Sequence, residues 1–152
     1  MDHRRDQPND LQRFVDAQNP QLDTVIHELT AGHKRSHWMW YFFPQLAGLG
    51  RSATSQLYAL ASLDEARAYL EHTILGGRLR QLTALVNDLP GHDPVAVFGE
   101  VDALKFHSSM TLFHLAAGDY DSLFQDALDK YFAGVPDQRT LDLAAQSARL
   151  PV

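Results

Sequence analysis

The chain has 152 residues, the size of one compact domain, and its 45% hydrophobic and 21% charged residues exclude wholesale disorder. Thirteen Lys and Arg against nineteen Asp and Glu leave a net charge of −6, which argues against a general duplex-coating nucleic-acid binder. The absence of cysteine removes thiol nucleophiles, thiolate metal sites and disulfides. No apolar run nears the roughly 18 residues of a membrane span, and the opening MDHRRDQPND lacks the apolar core of a secretory signal. The expectation is a single cytoplasmic domain over 1–152, with flexible ends at about 1–9 and 148–152.

A short helical stretch with Leu11, Phe14 and Val15 on one side comes first. Asn19-Pro20 then reads as an N-cap followed by proline at the first helical position, and Leu22, Val25, Ile26 and Leu29 repeat at helical spacing up to a stop at Gly32. Trp38 to Phe43 are six apolar or aromatic residues in a row before Pro44. With no partner strand elsewhere, this run predicts a central helix ending near Pro44. Ser62-Leu63-Asp64-Glu65 is a capping box opening a helix with Ala66, Tyr69 and Leu70 inward. Gly76-Gly77 predicts a break or kink before Leu79, Leu82, Val86 and Leu89, with Pro90-Gly91 as the end. Downstream, 102–117 reads as a helix closed by Gly118. Asp119 is the expected cap of the next, which buries Phe124, Ala127, Leu128 and Tyr131, and Asp137 that of a short last helix. No alternating strands or repeats are present, so the fold class is all-α, a single compact multi-helix domain of about six to eight helices.

The functional signal lies between Glu28 and Asp64, thirty-five residues without a carboxylate that hold Lys34, Arg35 and Arg51. About four acids would be expected there at the chain-average density. Gly48-Leu49-Gly50-Arg51-Ser52 is a flexible turn leading into a helix, and its amides, Arg51 and the hydroxyls of Ser52, Thr54 and Ser55 suit a phosphate or carboxylate. The bland alternative is equally physical: buried aromatics leave few exposed positions for acids, and glycines often only make a turn. Neither a GxxxxGK[ST] loop nor a GxGxxG strand–helix fingerprint is present.

The second polar cluster is Lys105-Phe106-His107-Ser108-Ser109-Met110-Thr111, whose hydroxyls fit either close helix packing or a pocket lining. Asp102 and Lys105 read as an ordinary i, i+3 pair. His33 and His37 share a helical spacing, yet no third ligand pattern accompanies them, so no metal is expected. Trp38, Trp40 and Tyr41 beside Lys34 and Arg35 suggest base stacking on paper, but the net charge makes nucleic acid an improbable partner.

The stretch HKRSHWMWYFFPQLAGLGRSATS over 33–55, followed by Arg78-Leu79, Phe98-Gly99, Asp102-x-x-Lys105 and SSMTLF over 108–113, resembles the bacterial and fungal family known as domain of unknown function 1810. Some members carry the label calpastatin, although nothing here is similar to an inhibitory peptide repeat. The likeness covers about Leu11 to Leu143 and implies a mainly helical fold. It implies no catalytic residues, since the family has no established activity. It does single out polar side chains that a core does not require: Lys34, His37, Gln45, Arg51, Ser52, Ser55, Arg78, Asp102, Lys105, Ser108 and Ser109.

If these converge, they form a cationic, hydroxyl-rich pocket framed by Trp38 and Trp40, suited to an anionic, phosphorylated, nucleotide- or ADP-ribose-like ligand. Arg51, Lys34 and Arg78 would neutralise charge, Ser52 and Ser55 would donate hydrogen bonds, and Trp38 would stack. No resident cofactor is implied. Any acid–base chemistry would fall to His37 or Asp102. The rival expectation is an interaction module in which 33–58 forms a homodimer surface or binds an unidentified protein partner. A third is that the polar strings only lock helices together.

Overall fold

The computed structural model describes residues 10–149. The expected N-terminal arm and all but two residues of the C-terminal segment lie outside them. The elements run α1 (Gln12–Gln18), α2 (Leu22–Ala31), α3 (Met39–Phe42), α4 (Ala53–Leu57), α5 (Leu63–Glu71), α6 (Leu75–Asn87), α7 (Pro94–Phe98), α8 (Glu100–Ala117), a 3-10 turn (Gly118–Tyr120), α9 (Leu123–Phe132) and α10 (Gln138–Arg149). The all-α expectation holds, and the ten α-helices among the described residues exceed the six to eight anticipated. The helix with no counterpart in the sequence reading is α7, of five residues and too short for a hydrophobic period to register, while the expected helices at the aromatic run and after the 48–52 turn form as the short α3 and α4. For α7 the signal was in plain view: Asp93 accepts from the Val95 amide, and Pro94 fills the first helical position. Among the described residues the one ladder-like contact is an isolated bridge between Leu46 and Leu60, where Ala47 N–H donates to Leu60 C=O and Leu60 N–H to Gln45 C=O.

α8 is the central element, packed against α5, α7, α9 and α10. From Phe106 to Phe113 it is apolar or small on nearly every face, which is why it can be surrounded. Phe43 meets Phe106 edge-on at 5.3 Å, and Phe98 stacks on it at 4.6 Å. The aromatic run before Pro44 supplies much of the core, with Trp38, Met39, Phe42 and Phe43 buried. Its helix is a single turn, and Trp40 and Tyr41 are only partly covered.

Several helix ends differ from expectation. Asn19 does not cap α2; it closes α1, and its Oδ1 accepts a hydrogen bond from Arg78 at 2.9 Å. The Ser62 box forms with a shifted return bond: Ser62 Oγ accepts from Glu65 N–H, while Glu65 Oε1 accepts from Ala61 N–H. Asp121, not Asp119, serves the start of α9, accepting from Leu123 N–H at 3.0 Å. Gly76-Gly77 is no kink but the first turn of α6. A Cβ on Gly76 would lie 2.1 Å from the Leu70 carbonyl oxygen, so glycine is what lets α6 begin against the end of α5.

Candidate functional site

Glu28 organises the segment that reaches the site. Its Oε1 accepts from the Arg35 and Ser36 amides and from the Trp38 indole at 2.8 Å, and its Oε2 accepts from the Ser36 hydroxyl at 2.6 Å. Burial opposes ionisation of this carboxyl, but these hydrogen bonds outweigh it and hold its pKa down at about 2. The bent loop 33–38 is thereby tied to α2, with Lys34 N–H also donating to Val97 C=O at 2.8 Å.

Lys34 emerges from this loop with 6% of its side chain exposed and meets Asp102 Oδ2 at 2.7 Å. Its ammonium also donates to Ser36 C=O and lies 5.0 Å from the centre of the Trp38 ring. Asp102 sits in the first turn of α8, where the helix dipole favours a carboxylate. Its Oδ1 is 3.5 Å from Lys105, whose ammonium covers the Trp40 ring at 4.6 Å. Trp40 and Lys105 are thus a wall with a cleft on either side.

On one side a cleft of about 520 Å³ is lined by Lys34, His37, Trp40, Glu100, Asp102 and Lys105. On the other, a cleft of about 430 Å³ takes Arg51 and Gln45 from the 45–52 turn, Lys105 and Ser108 from α8, and Asp137 and Arg139 from the start of α10. Val101 and Lys105 belong to both, like Trp40. Ser52 and Ser55 reach the second cleft but are mutually engaged: Ser52 Oγ accepts from Ser55 N–H and donates to Ser55 Oγ, which itself donates to Ser52 C=O. One of the amides expected to await an anion there, that of Ser55, is thus already taken by the Ser52 side chain. Gly50 makes this knot possible, because a Cβ on it would fall 2.4 Å from Ser55 Oγ.

Ser108 Oγ lies 3.2 Å from Asp137 Oδ2, which also accepts from the amide and hydroxyl of Thr140, capping α10 as expected. Thr111 Oγ1 accepts from Asp137 N–H, so the α8 hydroxyls serve both ends proposed for them: Ser108 lines the cleft and Thr111 joins α8 to α10. Arg51 and Arg139 are exposed, and among the described residues neither has a carboxylate within ion-pair distance.

Lys34, His37, Gln45, Arg51, Ser52, Ser55, Asp102, Lys105 and Ser108 therefore come together on two adjoining clefts. Three residues do not. Trp38 is completely buried and its indole N–H belongs to Glu28, so the tryptophan facing the clefts is Trp40. Ser109 is buried within α8 and lines neither. Arg78 lies on α6, donating to Gln18 and Asn19 at the end of α1. Asp102 has both oxygens turned to ammonium groups, which leaves His37 as the acid–base candidate with an unengaged ring among the described residues. Arg139, in the first turn of α10, lines the second cleft although it was not among the residues expected there, and no motif in the sequence marks it. Sequence reasoning also missed that Val101 and Leu104 stay 66% and 69% exposed beside the clefts.

A larger cavity of about 870 Å³ lies at the far end of α8, lined by Leu70, Arg80, Leu115, Tyr120 and Asp121, and contains none of the anticipated site residues. Among the described residues no group of three His, Asp or Glu side chains is arranged to hold a metal ion, and no helix is long and apolar enough to cross a membrane.

Fold and site together define a compact helical protein with paired polar clefts beside a central helix. The chain belongs to the family described as protein of unknown function DUF1810, which matches residues 8–144. It is also similar to the conserved hypothetical protein Rv1873 from Mycobacterium tuberculosis, whose crystal structure matches with a TM-score of 0.88 and 50% identity over 91% of this chain and 99% of that one. No curated protein matches the chain.

Proposed function

We propose that the protein binds a small phosphorylated anion, nucleotide- or ADP-ribose-like, in the cleft between Trp40, Arg51, Lys105 and Arg139. The observation that carries this is charge convergence. Three cations from three separate segments line one cleft against the single carboxylate of Asp137, and two of them are guanidiniums with no ion-pair partner among the described residues. A guanidinium offers a planar fork matched to phosphate oxygens. The apolar side chains of Trp40, Leu49, Val101 and Leu104 suit a flat or aliphatic portion of such a ligand.

A thermal-shift titration with AMP, ADP-ribose and inorganic phosphate tests this, with Arg51→Ala and Arg139→Ala alongside. A ligand at about 100 times its dissociation constant adds about 2.7 kcal/mol, roughly 5–10 °C for this chain length. Both variants keep the melting temperature of the free protein and lose the shift. No shift with any of the three compounds sinks the reading.

The second reading, an interaction or dimer surface, is favoured by the exposure of Val101 and Leu104 one helical turn apart on α8, beside a partly exposed Trp40. Sedimentation equilibrium of wild type and Leu104→Glu separates the two. A dimer dissociated by the substitution supports the interface, and a monomer in both leaves the small-molecule cleft.

A further inference from the structure

Resting on that anion-site reading, we infer that Lys105 selects the charge class of the ligand. A dianionic phosphate monoester draws its ammonium off Asp102 and Trp40 into the Arg51–Arg139 cleft, and the indole face so uncovered takes the flat part of the ligand. Within the anions proposed above, the ligand class is narrowed to a phosphate monoester that carries an aromatic or heteroaromatic group, as a nucleoside monophosphate does and ADP-ribose, a pyrophosphate diester, does not.

Lys105 lines both clefts, so a modest rotation of its side chain changes which one its charge serves. Its ion pair is long, with Asp102 Oδ1 at 3.5 Å, and its closer contact is the uncharged Trp40 ring, 4.6 Å to the centre. Asp102 does not depend on it, because Lys34 holds the other oxygen at 2.7 Å and is itself buried and anchored to Ser36 C=O. When Lys105 leaves, Asp102 stays neutralised. The i, i+3 pair and the cation–π contact given up are each weak beside a charge-assisted bond to a dianion. A monoanionic carboxylate differs. One guanidinium fork satisfies both its oxygens, so it gives Lys105 no reason to move.

Phenyl phosphate and benzoate separate the two cases at about pH 8, where the phosphate ester is a dianion. Affinities are read by calorimetry and by tryptophan emission, for wild type, Lys105→Met, Lys105→Arg, Trp40→Phe and Arg51→Ala. Wild type is expected to bind phenyl phosphate at least about tenfold more tightly than benzoate, the equivalent of about 1.4 kcal/mol. Lys105→Met loses that preference while holding benzoate within about twofold, and Lys105→Arg, which keeps the charge, retains it. Emission changes with phenyl phosphate in wild type and not in Trp40→Phe, whose remaining indole, Trp38, is buried.

The inference is overturned if Lys105→Met weakens both probes equally, or if Trp40→Phe keeps the emission change. Loss of phenyl phosphate binding in Arg51→Ala but not in Lys105→Met leaves the anion site standing and removes the role of Lys105. If wild type binds neither probe at millimolar concentration, the anion-site reading falls and this inference with it.

Discussion

Replacing Glu28 with Gln isolates the charge that organises the loop behind the site. Glutamine nearly preserves the shape and keeps a carbonyl oxygen for the three donors that Glu28 Oε1 now serves, the Arg35 and Ser36 amides and the Trp38 indole. The Ser36 hydroxyl, which now donates to Oε2, can turn to accept from the new amide. What disappears is the negative charge. Its worth follows from the carboxyl pKa, held at about 2 in the folded chain against the ordinary 4.5. A pKa lowered by folding contributes stability that is fully present above the ordinary value and is lost as pH falls through the folded one. The difference amounts to roughly 3 kcal/mol at pH 7 and about half of that at pH 3. Urea unfolding of wild type and Glu28→Gln at pH 7, 4 and 3 measures it. The variant is expected to be roughly 3 kcal/mol less stable at pH 7, about 6–12 °C in Tm, with the gap shrinking to about half by pH 3. A gap of unchanged size across this range, or no gap at pH 7, refutes the assignment of an ionised, hydrogen-bond-stabilised Glu28.

Glu65 should behave in the opposite sense. Burial pushes its carboxyl up, offset in part by the Ala61 amide and by Arg13, and its Oε2 is buried without a partner among the described residues. A carboxyl whose pKa is raised by folding destabilises above its ordinary 4.5. Glu65→Gln therefore raises the urea midpoint at pH 7, and the gain fades as pH falls towards 4. An unchanged or lowered midpoint at pH 7 contradicts this. The adjacent glycines give a paired test by thermal melting: Gly76→Ala sets a Cβ against the Leu70 carbonyl and costs about 1–3 kcal/mol, while Gly77→Ala meets open space and stabilises by up to about 1 kcal/mol. Equal effects at the two positions would dismiss the close approach of α5 and α6.

Much of the fold was legible because it rests on local chemistry. Asp137 caps α10 and Gly32 ends α2 as their residue types require, Gly32 in the left-handed conformation at φ 76°. Where neighbours compete for one role, local rules misassigned it. Asn19 is a good capping residue, yet Arg78, 59 positions away in sequence, draws its side chain to the end of α1. Asp119 and Asp121 are equally able to cap α9, and the intervening 3-10 turn selects Asp121. The aromatic run showed that Trp38 and Trp40 matter, but periodicity does not operate over a single turn of helix. Their opposite fates, one buried on Glu28 and one facing the clefts, were beyond its reach.

The sequence by itself determined the all-helical class, the positions of the long helices and the acid-free segment that supplies half of the site, because helical periodicity, capping chemistry and composition are properties of neighbouring residues. Only the tertiary structure decided which cations share a cleft. Arg51 and Arg139 are 88 positions apart in sequence, and what brings them together is the packing of α10 on α8 and of Leu143 against Gly48. Arg78, just as polar and just as prominent in the same motif set, is carried on α6 to the end of α1 instead. Charge at a site is a sum over space, and spacing along the chain fixes that sum only within a helical turn or two.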